Sequence, residues 1–129
     1  MMYIIRTREV RLTIPADPAY TPVAALALSG FGMIAGLDVD LLGDLRTVTA
    51  ECLDCLRHQA GCPQCIEVSA SVEEGMLRVR FVAQDRQPAA QEDGLDLDIT
   101  RGVLETLMPQ VALEADEQGV HGILCAMPV

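Results

Sequence analysis

Two alternating apolar runs meet at a tight turn in "CIEVSASVEEGMLRVRFVA", and no other stretch constrains the fold as much. Over residues 65–72, Ile66, Val68, Ala70 and Val72 recur at every second position, the period of a strand with one face toward a core. Leu77, Val79, Phe81 and Ala83 repeat the pattern beyond Glu73-Glu74-Gly75, which reads as a hairpin turn. Strands joined by so short a connection pair antiparallel, and their common apolar face needs a covering layer.

Helical segments supply that layer. Pro18 or Pro22 can occupy a first helical turn, and residues 23–33 then read as a buried helix. Asp38 or Asp40 caps a second helix, in which Leu41, Leu45, Val48, Cys52 and Cys55/Leu56 share a face at steps of three and four. Gly61 and Pro63 stop it. A third helix starts at a cap from Asp98 or Thr100 and runs to about Met108, where Pro109 breaks it. Val10, Leu12 and Ile14 alternate in an opening strand. A last hairpin sets Val111-Leu113-Ala115 against Ile123-Cys125-Met127 across residues 116–119. Residues 84–92 are polar and without period, and read as the most mobile internal segment. The order is strand, helix, helix, strand, strand, helix, strand, strand. It predicts an α+β fold: a two-layer α/β sandwich, a mostly antiparallel mixed sheet with helices on one face. At 129 residues, half of them hydrophobic, the chain suits one domain over residues 1–129.

Charge narrows the partners. Nineteen acids face nine arginines and no lysine, a net charge of −10. That field repels phosphate backbones and anionic lipid, so neither nucleic acid nor a membrane is an expected partner, whereas a basic protein surface is. The four aromatic residues offer few platforms for stacking bases. Residues 19–37 carry no charge but contain Pro22, Gly30, Gly32 and Gly36, which favours a buried helix over a span. Met1 and the nine residues after it hold two arginines and no long apolar run, so no signal peptide is expected. A cytoplasmic location follows, and thiols stay reduced there.

Four of the five cysteines crowd into "ECLDCLRHQAGCPQC". The spacing of Cys52, Cys55, Cys62 and Cys65 is one that zinc sites use: the first two lie one helical turn apart, and the turn at Gly61-Cys62-Pro63 can fold the others back. The same thiols can instead be core residues extending the stripe from Leu41, since free cysteine is among the most buried residue types. A third reading makes Cys62 and Cys65 a redox pair, without the helix N-terminus that stabilises a thiolate in such motifs. Cys125, on a different strand, stands apart from the quartet. His58 suits the dipole at a helix C-terminus. His121 reads as a surface or packed residue.

Three short patterns carry a resemblance. Glu51, Cys55 and Gln59 follow one another at steps of four on a helix; Ala83, Asp85 and Gln87 span the end of a strand; Gly94-Leu95-Asp96-Leu97 precedes a helix that holds Arg101. With the order of elements, they make nearly the whole chain resemble the anti-sigma-factor serine kinases of bacteria, in the histidine-kinase-like ATPase superfamily (the Bergerat fold). The resemblance implies Glu51 as a vestigial general base and Gly94, Leu95 and Leu97 as the remnant of a nucleotide box. The family places Asn where Cys55 stands, to hold the magnesium of ATP, and a thiol is a poor ligand for that hard cation. It places glycines where Gln87 and Asp96 stand, and Asp96 adds negative charge where phosphate would meet a helix start. ATP binding is therefore expected to be lost. The resemblance implies a non-catalytic regulatory module, with a sigma factor or a small anti-anti-sigma domain as partner and homodimers as the common assembly. One alternative is an active serine/threonine kinase. Another is a zinc- or redox-responsive domain built on Cys52, Cys55, Cys62 and Cys65.

Overall fold

The computed structural model describes residues 9–59, 61, 63–86 and 97–129. Strand β1 is Glu9–Pro15, followed by a single 3-10 turn at Pro18–Tyr20, helix α1 at Thr21–Ala35 and helix α2 at Val39–Gln59. Then come β2 (Cys65–Glu73), β3 (Met76–Gln84), α3 (Leu97–Leu107), β4 (Gln110–Asp116) and β5 (Gly119–Pro128). The fold is α+β: a five-stranded sheet in the order β1-β2-β3-β5-β4, every neighbouring pair antiparallel, with helices packed on one face.

The central hairpin forms as its alternation requires. Ile66 lies opposite Ala83, Val68 opposite Phe81 and Ala70 opposite Val79, all buried. Glu74 (φ 52°) and Gly75 (φ 76°) both take left-handed backbone, the pair of conformations whose twist suits a two-residue hairpin. The other sheet face carries the alternate residues, among them Ser69, Arg80 and Leu124. Arg80 holds Glu114 there with two bonds, at 3.0 and 3.1 Å.

Helix α2 is the central cover. Its N–H at Leu41 donates to Asp38 Oδ1 at 2.9 Å, so Asp38, not Asp40, is the cap. Leu45, Val48, Cys52, Leu53, Cys55 and Leu56 enter one contiguous core with Phe81, Leu104 and Ile123. Helix α3 begins at Leu97, earlier than its cap residues suggest, so Asp98 and Thr100 sit inside its first turn. Thr100 is buried there.

Helix α1 departs from expectation most. It was expected to be buried, yet only Ala24, Leu28 and Gly32 are. The helix lies in the helical layer beside α2, packed along one side on α2, β1 and β2, so its other side meets solvent although nearly every residue on it is apolar. Pro18–Ala35 is long and apolar enough to cross a membrane by length and composition. Gly36 closes the helix in left-handed backbone, and the Leu37 N–H returns to the Gly32 carbonyl at 3.0 Å.

Candidate functional site

The second half of α2 carries most of the residues singled out from the sequence. One side of it, with Cys52, Leu53, Cys55 and Leu56, faces the core, and the residues between them reach the rim. Glu51 and Asp54 are half-buried at the rim, while Cys52 and Cys55 point inward with 0% and 1% of their surface exposed. Burial pushes the Cys55 thiol up to about 11, with the carboxylates of Asp54 and Glu51 adding to the effect. Gln59, the third position of the helical pattern, is also buried.

The rim is organised by Asp54. Arg57 reaches its carboxylate at 3.4 Å and also donates to Thr21 Oγ1 at 3.2 Å, which ties the end of α2 to the start of α1. His58 Nδ1 lies 2.8 Å from the Asp54 carbonyl and 3.6 Å from its carboxylate. His58 thus does what a basic residue in a last helical turn commonly does.

Three members of the cysteine quartet fall in different places. Cys52 and Cys125 are neighbouring buried thiols. Burial, and then that second thiol, push Cys52 well up. Cys55 packs with the core. Cys65, at the start of β2, is half-exposed, with its Sγ 3.6 Å from Asp85 Oδ2 and 3.8 Å from Gln84 Oε1. Partial desolvation and then the Asp85 carboxylate raise its pKa. Cys62 lies outside the described residues. Among those described, no three His, Cys, Asp or Glu side chains come together in a group that could hold a metal ion. The pairing of Cys125 with Cys52 corrects the view that Cys125 stands apart: register places it opposite Val79 on the sheet face that α2 covers.

The nucleotide pattern is only partly within view. Ala83 is buried in β3, and Asp85 follows the strand in left-handed backbone (φ 54°), exposed and turned to Cys65. Gln87, Gly94, Leu95 and Asp96 lie outside the described residues, as does most of the 84–92 segment. Leu97 opens α3 and packs on the core, and Arg101 is exposed on the same helix.

Two features had no sequence signal. One is the Arg86–Asp116 fork, with bonds of 2.6 and 2.9 Å, which joins the end of β3 to the β4–β5 turn. Hydrogen bonding to Arg86, then the Gln118 N–H, holds the Asp116 carboxyl well below the usual range. The other is a shallow cleft of about 350 Å³ between α1 and α2, lined by Thr21, Pro22, Ala25, Leu26, Arg46 and Ala50. A charge-free helix has no polar side to mark which face stays outside. No protein-family model and no curated protein matches this chain.

Proposed function

We propose that this chain is a non-catalytic regulatory module that acts by binding another protein in the cytoplasm, in the manner of an anti-sigma factor without ATP chemistry. One observation carries the reading. Where the resembled kinases present an amide oxygen to magnesium, Cys55 turns a protonated thiol into an aliphatic core, with 1% of its surface exposed. A hard cation draws its ligands from oxygen, which a buried thiol does not supply. Sequestering a partner needs only a surface, so loss of the nucleotide leaves that role intact. A sigma factor or an anti-anti-sigma domain with a basic face suits the net charge of −10.

Isothermal titration of the whole chain with Mg-ATP tests the reading. The expected result is no binding heat at millimolar nucleotide. A dissociation constant in the micromolar range would overturn it and restore Glu51 as the base of a working kinase.

A further inference from the structure

The cleft between α1 and α2 is built from residues one helical turn apart. Thr21, Pro22, Ala25 and Leu26 line it from α1, and Arg46 and Ala50 from α2. Ala25 and Ala50 are small, and the space they leave is about 350 Å³, within the range of small-molecule sites. Its apolar wall is open to solvent. Leu26 exposes 71% of its surface, and Val23 and Tyr20, at the same end of α1, are exposed as well.

The polar groups at the cleft favour an anion. Arg46 is the one charged residue lining it, and among the described residues it makes no ion pair or side-chain hydrogen bond. The sequence explains why: the positions three and four away on the helix hold Leu42, Gly43, Thr49 and Ala50, none of them acidic. Arg11, Arg57, Arg80 and Arg86 each hold a carboxylate instead. Thr21 Oγ1 accepts from Arg57 at 3.2 Å, which leaves the hydroxyl hydrogen to donate. An unpaired guanidinium beside apolar surface fits a ligand with a carboxylate and a hydrocarbon body.

We propose that the cleft binds a small monocarboxylate with an apolar chain, its carboxylate on Arg46 and its chain over Pro22, Ala25, Leu26 and Ala50. The guanidinium offers a planar fork to the two carboxylate oxygens. The charge of the molecule limits the charge of the ligand. A field of −10 opposes each added negative charge, so a monoanion loses least, and burial of its chain supplies the rest of the affinity. The bound acid bridges α1 and α2, and so stabilises the fold by mass action. This site does not depend on whether the nucleotide site is silent.

Isothermal titration of the whole chain with sodium octanoate, sodium hexanoate, octanamide and octylammonium chloride tests it. Octanoate should bind with a dissociation constant in the millimolar range or tighter. Hexanoate should bind about five- to fifteenfold more weakly, since each fully buried methylene is worth about fourfold. Octanamide, the neutral counterpart, should bind at least about tenfold more weakly than octanoate, and octylammonium not at all. In Arg46→Gln, octanoate should fall to the level of octanamide while octanamide is unchanged, a pattern that loss of structure cannot mimic. Ala50→Leu, at an exposed position, should fill the cleft and abolish binding of both, with an unchanged far-ultraviolet spectrum. No binding of octanoate in the millimolar range overturns the proposal. So does equal affinity for octanoate and octanamide, or octanoate binding that Arg46→Gln leaves intact.

Discussion

Thiol chemistry is where single residues are most sharply divided. Cys52, Cys55 and Cys125 are buried, whereas Cys65 reaches solvent beside Asp85. In a Cys62→Ser background, Ellman's reagent at pH 8 should titrate one thiol promptly and the other three only after denaturant is added. Prompt reaction of two or more would contradict the packing of α2. The raised Cys55 thiol also predicts a pH dependence. Its ordinary value is 9.0 and its folded value about 11, so the neutral form is favoured in the fold. The associated stability is complete below pH 9 and is lost as pH rises through 11, on the order of 2 kcal/mol. Denaturant melts between pH 8 and 11 should fall less steeply for Cys55→Ala than for the wild-type chain, whatever the difference in starting stability. Equal slopes would remove Cys55 as the cause.

Between elements, the tightest constraint is the α1–α2 contact at Gly32. A Cβ there would stand 2.9 Å from Leu42 Cδ2 and 3.0 Å from Leu37 Cδ1, so in Gly32→Ala overpacking should outweigh the helix-propensity gain and destabilise by about 1 kcal/mol net. Gly43, exposed in the second turn of α2, has nothing within 4 Å. Gly43→Ala should therefore stabilise by about 0.5–1 kcal/mol through helix propensity alone, and urea midpoints of the two variants should move in opposite directions. The elements themselves were legible because their periods were clean: the alternation around Glu73-Glu74-Gly75 and the three-four stripe from Leu45 to Leu56 each admit one geometry. α1 was legible as a helix but not in its orientation, because a stretch without polar residues gives no angular signal. The site was less legible still. Spacing alone made Cys52, Cys55, Cys62 and Cys65 a set, but helix rotation sends Cys52 and Cys55 inward, and sheet register, which sets Cys125 opposite Val79 and Cys65 opposite Pro15, supplies Cys125 and detaches Cys65.

For the molecule as a whole, the excess of acids is a standing cost to compactness. Raising sodium chloride from about 10 mM, where the screening length is near 30 Å, to about 0.3 M should raise the melting temperature. A flat or falling response would mean that the ion pairs at Arg80 and Arg86 outweigh the self-repulsion. The strand order has its own consequence, in time rather than energy. β5 lies between β3 and β4, so the hairpin β2–β3 can form as soon as it is made, but its open edge stays open until the segment Gly119–Pro128 exists. During synthesis, α1 and α2 must then wait over a half-built sheet, their apolar sides uncovered, and the burial of Cys52 beside Cys125 comes only once β5 has emerged. A nascent chain of this design is most in need of a chaperone just before Gly119–Pro128 emerges.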